Sequence, residues 1–553
     1  MKRILVWLMA LCMCMTWVGA VAQEQKPDTW IADRTIVVRS FIDDQGLYLP
    51  DDTVHNAVAD ELRARTGISL EFQYTAGVND LEVMTTMMAS GDIPDVVTFY
   101  LNDSSRPEFP ILLKAAREGM FADLSPYFAD SKVFSKYLQE GYLPSDTRDQ
   151  VMWRPEFNGA CYLAQLQVIR SFESAANKLY TGMYLRKDIA DALQVNSFSI
   201  HTLDDLYNLL LRIRDGGFVD NNGQPVYPLG PSIWGGSYDR RSAVEPANFG
   251  REGFDLYEGK VAFLTETPFA MEQVEFYQKL LAENLMNMEM FSMDTTRAEE
   301  LCRSNSCAII NQVHNYIDIF KENDYIPLLI ENWKGEYNVS YENGKTGYGG
   351  FAISSKAKNP EEIFALIDYL ATREGKLLWL YGIEGQHYTL DENSNPLVKP
   401  EYYEWVKTAD PREVRNIGVG GGWILFLANT DIDAMADFGE PGWGLRLEPD
   451  RDQYGDVLFD LIKETRTNKY IEGFAPTGYL SNLPDVESRL SPLLQETNDI
   501  MVQAIFSGSA ESAKSILDSY NTQLKAAGLD AFKAYLEEVY AANPTSINFI
   551  GDK

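Results

Sequence analysis

Between Arg34 and Tyr100 the hydrophobic pattern switches repeatedly between alternation and helical spacing, and this restricts the fold more than any other feature of the chain. The segment RTIVVRSF (Arg34–Phe41) predicts a strand, followed by the loop IDDQGLYLPDD. TVHNAVADELRARTG (Thr53–Gly67) has helical spacing with a glycine stop, and ISLEFQY alternates as a strand. DLEVMTTMMASGD reads as a helix closed by Gly91, and IPDVVTFY as a strand. This order predicts an α/β unit on a largely parallel sheet, because parallel neighbours need a crossover connection. Ligands of such sheets gather outside the carboxyl ends of the strands. The loops Asp43–Asp52 and Leu101–Pro107 lie at such ends.

The rest of the chain is also mixed. YLRKDIADALQV and TLDDLYNLLLRIRDGG read as helices, the second with Thr202 as N-cap and Asp205 completing a capping box. NNGQPVYPLG reads as a turn, EQVEFYQKLLAENLM as a helix, and SCAIINQVH holds a short strand. YGGFAISSKA is a further strand. The helix after it starts at Asn359-Pro360-Glu361-Glu362, which combines an N-cap, a proline at N1 and acids at the positive helix end. Its predicted buried face is Ile363, Phe364, Ile367 and Leu370. From about Ser491 to Tyr540 the pattern is nearly all helix. There is no internal repeat and no low-complexity tract.

A chain of 553 residues has room for two to four domains, at roughly 100–200 residues each. Its formal net charge of -33 repels nucleic acid and anionic membrane and favours a neutral or cationic partner. The N-terminus has the form of an export signal. Lys2 and Arg3 precede the apolar stretch Ile4–Val18, and Ala20-Val21-Ala22 is a cleavage site, so residues 1–22 are expected to be removed. The apolar run is short for a membrane span of about 20 residues. Cys12 follows Leu11 and Cys14 follows Met13, which suits neither for a lipid anchor. Beyond the signal, Cys161, Cys302 and Cys307 remain, an odd number that excludes a full disulfide framework. Cys302 and Cys307 either pair or stay as buried thiols.

LWLYGIEGQHYTL (Leu378–Leu390) offers Glu384 and His387 as a conceivable acid–base pair. The spacing favours a structural reading. A short helix opened by Thr372 and Glu374 ends at Gly382, where a C-terminal cap is expected, and Gly385 permits a second tight turn. Glu384 is then available to bond loop amides. No G-x-S-x-G elbow, P-loop, HExxH or GxGxxG occurs, and His55, His201, His314 and His387 are too scattered to form a metal signature. Paired carboxylates for glycoside hydrolysis depend on a separation that only a structure gives.

The segments MASGDIPDVV, YLRKDIADAL with TLDDLYNLLLRIRDGG, EGKVAFL, LAENLMNMEMF and GGFAISSKAKNPEEIFALIDYLATREGKLLWLYGIEGQHY, followed by the helical tail, occur in that order. Together they resemble the family 1 extracellular solute-binding proteins of bacterial ABC importers, in the large oligosaccharide-binding, often lipoprotein branch. The resemblance implies an α/β, two-lobed periplasmic-binding-protein fold, type II-like, with a hinge, an interlobe cleft and a helical C-terminal part. It implies an N-terminal lobe of residues 33–150 plus 345–390 and a C-terminal lobe of residues 151–344 plus 391–553. The missing lipobox departs from the branch and points to a soluble form in the periplasm or at the outer face of the cytoplasmic membrane. DNNGQPVYP (Asp220–Pro228) sits where relatives often carry an acidic calcium-loop-like turn, but keeps one acid beside two asparagines. A tight calcium site needs more oxygen ligands. No metal and no cofactor is expected.

A sugar presents hydroxyls in its ring plane and apolar C–H faces, so its site needs aromatic platforms with fixed polar partners. Strand-end position selects Tyr48, Tyr100 and Asn102 in the first lobe. In the second it selects Trp234, Tyr238 and Asp239 of SIWGGSYDRR, Asn311 and His314 of IINQVHNY, and Trp423 of GVGGGWILF. The expectation is a monomeric, non-enzymatic carrier that closes on an oligosaccharide and delivers it to ABC permease subunits, with no nucleic-acid partner. Its rivals are a secreted glycoside-active enzyme and a binding protein for a peptide or other non-sugar solute.

Overall fold

The computed structural model describes residues 26–41, 57–73, 80–101, 107–143, 147–166, 181–232, 252–313, 325–330, 340–343, 349–392, 394, 396–402, 405, 468–471, 474–547 and 549. In chain order the strands are β1 (Arg34–Phe41), β2 (Ile68–Gln73), β3 (Val96–Tyr100), β4 (Ala164–Leu166), β5 (Thr181–Arg186) and β6 (Tyr227–Ser232). They continue with β7 (Phe254–Tyr257), β8 (Lys260–Phe263), β9 (Cys307–Val313), β10 (Tyr325–Leu328), β11 (Ser340–Asn343) and β12 (Gly349–Ile353). The last are β13 (Tyr388–Leu390), β14 (Pro396–Val398) and β15 (Asn468–Ile471).

The first sheet has the order β2-β1-β3-β12-β4. β1 is parallel to both β2 and β3, as the strand–helix alternation requires. β12 is antiparallel to β3 and to β4, so the sheet is mixed on this side, and β4 runs in the same direction as β3. Helices Ala57–Thr66 and Asp80–Ser90 bury Val58, Leu62, Met84 and Met88. On the β12 side, Phe351 joins Phe134 and Phe364 in an aromatic cluster with Phe128 and Tyr137. Phe364 belongs to helix Pro360–Ala371, whose Ile363, Ile367 and Leu370 are buried with it. Pro360 is at N1, but Asn359 caps differently from expectation. It adopts positive φ, and its side chain donates to the Glu362 carboxylate instead of receiving a helix amide. Asp368 from the same helix accepts the Ser131 hydroxyl and the amides of Lys132 and Val133, which anchors that loop to the cluster.

The second sheet has the order β10-β5-β9-β6, with β6 parallel to β9 and β5 antiparallel to both β9 and β10. Two readings need correction here. The start of the predicted helix YLRKDIADALQV is the end of β5, and the helix proper is Lys187–Leu193. NNGQPVYPLG is a turn only at its start, because Tyr227–Ser232 forms β6. Both strands have buried residues without clean alternation, so periodicity carries little information there. Helix Leu203–Asp215 opens with the capping box of Thr202 and Asp205.

Two apolar clusters correspond to the two sheets. The first contains the β1–β3, β4 and β12 core, helix Pro360–Ala371 and the residues Leu490, Tyr520, Leu524, Phe532 and Leu536 of the tail. The second contains the β5, β6, β9 and β10 core with Met501, Ile505, Ala513 and Leu517. Helix Ala510–Ala527 therefore packs its first half on one cluster and its second half on the other. Near the changeover Asn521 accepts from the Thr265 hydroxyl and donates to its carbonyl. Cys161, Cys302 and Cys307 are all free and buried, so the Cys302–Cys307 alternative resolves to thiols.

Candidate functional site

Because β1, β3 and β4 run the same way, their carboxyl ends share one edge of the first sheet with the start of β12. At this rim Tyr100 pairs with Gly349, and Gly349 with Leu166. One row further in, Phe41 pairs with Phe99, Phe99 with Gly350, and Gly350 with Gln165. Successive residues of a strand point to opposite faces, so Arg39, Phe41, Phe99 and Gln165 share one face. The Arg39 guanidinium lies 4.7 Å from the centre of the Phe41 ring. A Cβ at Gly350 would lie 2.5 Å from the Ala164 carbonyl oxygen and 2.9 Å from Phe99 Cε2, so the Phe99 ring covers the glycine and only glycine fits. Gln165 is fully buried, and among the described residues neither its Nε2 nor its Oε1 has a hydrogen-bond partner.

The second sheet has a matching edge. β6 and β9 are parallel, with Ser232 paired to Asn311 near their carboxyl ends, and Thr181 at the start of β5 paired to Val313. Of the residues expected to meet a ligand, the backbones of Tyr100 and Asn311 lie at these two carboxyl edges, one on each sheet. Tyr48, Asn102, Trp234, Tyr238, Asp239, His314 and Trp423 lie outside the described residues. Sequence reasoning missed Arg39 and Gln165. Arg39 is a cation inside an apolar strand, and Gln165 is a polar residue in the apolar run CYLAQL, and both signals went unread.

The Glu384–His387 loop is a structural turn. A helical segment from Arg373 to Tyr381 ends at Gly382, with φ 88°, and Gly385 follows with φ 82°. The ring of His387, rather than Glu384, holds the loop together, because its Nδ1 accepts the Ile383 amide at 2.9 Å. His387 is buried against the Tyr402 ring, whereas Glu384 is exposed. Burial, and then the nearby Lys399, pushes the imidazolium below its ordinary range.

The Asp220 turn does not fit a calcium ion. One Asp220 oxygen accepts the amides of Asn222 and Gln224, and the other accepts the Ser306 hydroxyl. The Gln224 amide, helped by the other donors, holds this carboxyl below its usual range. The Asn221 oxygen accepts from Asn305. The oxygens a cation would use thus serve the turn, and only one of the side chains that carry them is an acid. Among the described residues no three His, Cys, Asp or Glu side chains gather as a metal site, and no helix is long and apolar enough to cross a membrane.

The family model described as bacterial extracellular solute-binding protein matches residues 50–377. Among solved structures, the chain is similar to the alginate-binding protein AlgQ2 without calcium ion, with a TM-score of 0.65 and 17% identity over 93% of this chain and 100% of that one. It is similar to the Streptococcus pneumoniae ABC-transporter substrate-binding protein FusA in complex with kestose, with a TM-score of 0.66 and 18% identity over 92% and 100%. A solute-binding protein described as HMO-binding, from Bifidobacterium longum infantis, gives a TM-score of 0.64 and 17% identity over 95% and 100%. At these identities the likeness is one of fold. No curated protein matches the sequence.

Proposed function

The chain belongs to the bacterial extracellular solute-binding proteins, and from that premise we propose that it captures an uncharged oligosaccharide outside the cytoplasmic membrane and hands it intact to an ABC importer. The observation that carries this reading is the family match over residues 50–377, which includes the carboxyl ends of β3, β4, β6 and β9 and the start of β12. The saccharide class is supported by three structures of similar fold that are described with alginate, kestose or HMO. It is also supported by the strongly negative chain, which favours a neutral guest over an anionic one.

In this reading the two sheets are the centres of two lobes, residues 33–150 plus 345–390 and residues 151–344 plus 391–553, except that β4 (Ala164–Leu166) pairs in the first sheet and goes with the first lobe. The ligand lies in a cleft between their carboxyl edges, and closure about a hinge shifts the population towards a state that permease subunits recognise. Tyr48, Tyr100, Asn102, Trp234, Tyr238, Asp239, Asn311, His314 and Trp423 are the proposed ring platforms and hydroxyl partners. The protein is exported by the signal at residues 1–22 and acts as a soluble monomer. It uses no metal or cofactor, and no covalent step is involved.

A thermal-shift screen tests the proposal, using kestose, nystose and an alginate trisaccharide beside a panel of oligopeptides. A ligand at 100 times its dissociation constant stabilises the native state by about 2.7 kcal/mol. We expect a shift with a neutral saccharide, with mass spectrometry recovering it uncleaved. A shift with peptides alone, or a saccharide recovered in pieces, refutes the reading.

A further inference from the structure

We propose that Gln165 is a ligand-reading residue whose side-chain amide hydrogen-bonds a pair of hydroxyls of the captured saccharide. This inference rests on the oligosaccharide reading above. A glutamine side chain offers two donor hydrogens and an acceptor oxygen with two lone pairs. In Gln165 all of that capacity is buried, and none of it is used. Both polar atoms are closed to water, and no group among the described residues bonds them, so the amide stabilises nothing in the state described. An apolar side chain of the same size would serve this conformation better. The amide gains partners only in a state where the surroundings of the sheet edge have rearranged.

Its position says which state that is. Gln165 is one residue from the end of β4, at the carboxyl edge that β4 shares with β1 and β3. Among the described residues, the strand that follows β4 along the chain is β5, which begins at Thr181 in the second sheet. The row that carries Gln165 also carries the Phe41 and Phe99 rings, with Gly350 between Phe99 and Gln165. Both rings are buried in the state described, Phe41 against the Arg39 guanidinium and Phe99 over Gly350, so in the rearranged state they and the amide would together meet the two chemistries of a sugar ring, an apolar C–H face and adjacent hydroxyls.

Thr98 provides the contrast. Its hydroxyl is also buried without a partner among the described residues. It lies one row further from the rim and on the opposite face, however, beside Phe351 and the aromatic cluster with Phe134 and Phe364. An orphaned polar atom therefore does not mark a site by itself; the rim position and the aromatic row single out Gln165.

The test is Gln165→Met, which keeps the length of the side chain and removes its hydrogen bonding. Calorimetric titration with kestose, nystose and the alginate trisaccharide is run on wild type and variant, with ligand-free melting temperatures alongside. We expect the ligand-free variant to melt no lower than wild type and to bind the saccharide at least tenfold more weakly, a loss of about 1.4 kcal/mol. Equal affinity in both proteins overturns the assignment of Gln165 and leaves the oligosaccharide reading intact. A wild type that binds none of the saccharides overturns both. If Gln165→Met does not fold, Gln165→Asn replaces it, with the amide on a shorter stem. A tenfold loss then supports the assignment, and unchanged affinity overturns it.

Discussion

His387 accepts the Ile383 amide through Nδ1, so that nitrogen carries no proton in the folded chain. The unfolded histidine takes up a proton near pH 6.5. The folded one resists because burial, and then Lys399, lowers its affinity for the proton. As pH falls through 6.5 the unfolded state binds the proton first, and stability drops until the lowered folded value is passed. His387→Asn can accept the same amide bond without titrating. The melting temperature of wild type should therefore fall relative to that of the variant between about pH 7 and pH 5. A difference that stays constant across that range would remove His387 as the source. Thr98→Val makes a simpler prediction. Valine fills the same volume beside Phe351 without the orphaned hydroxyl, so denaturant unfolding should show a gain of about 1 kcal/mol. Ligand affinity should be unchanged. The residues of the His387 loop show what the sequence could reveal. Gly382 and Gly385 were legible because positive φ is a local demand that glycine answers. Gln165 was visible only as a polar residue in an apolar run, because its environment is made by β12, which pairs with it from far along the chain.

At the scale of elements, helix Leu203–Asp215 was legible down to its first hydrogen bonds. Thr202 accepts the Asp205 amide at 3.1 Å, and Asp205 accepts the Thr202 amide at 3.0 Å. Thr202→Ala should cost about 1 kcal/mol in chemical denaturation, the usual worth of such a cap. A loss below a few tenths would mean that tertiary packing alone holds this helix start. The boundary between β5 and the helix after it was not legible. Tyr184 and Leu185 are buried inside a sheet with neighbours on both sides, so the strand lacks the alternation that identifies an edge or half-exposed strand. Arg186 is also buried, and its charge is met by Asp188 and by the carbonyls of Val219 and Asn305, which only the folded chain brings together. Gly375 makes the sharpest element-scale prediction. A Cβ there would lie 2.1 Å from the Tyr369 carbonyl oxygen and 2.6 Å from Leu370 Cα, both backbone atoms that cannot swing aside. Gly375→Ala should destabilise by about 3 kcal/mol, the upper end of the usual overpacking range, by splaying the Arg373 turn from helix Pro360–Ala371. A variant with native stability would mean that this junction is looser than its geometry.

At the scale of the whole molecule, the tail joins what the two sheets separate. Helix Ala510–Ala527 packs Leu517 on one cluster and Tyr520 on the other, and Asn521 fastens it to Thr265 at the changeover. This connection was hidden in the sequence, where the tail reads as uniform helix. The net charge was fully visible and carries the last prediction. A chain at -33 repels itself, and the repulsion is screened as the Debye length shrinks from about 30 Å at 0.01 M salt to about 8 Å at 0.15 M. The ligand-free melting temperature should therefore rise over that interval. A neutral saccharide feels none of this field, so its affinity, compared between 0.05 and 0.5 M salt, should stay within about twofold. An anionic saccharide such as the alginate trisaccharide must approach against the field, and any binding should strengthen as salt is added. Anionic binding that instead weakens with salt would reveal a local cationic site strong enough to reverse the global charge. The guest would then be a charged polysaccharide fragment, and the neutral-ligand reading would fall while the carrier role stood.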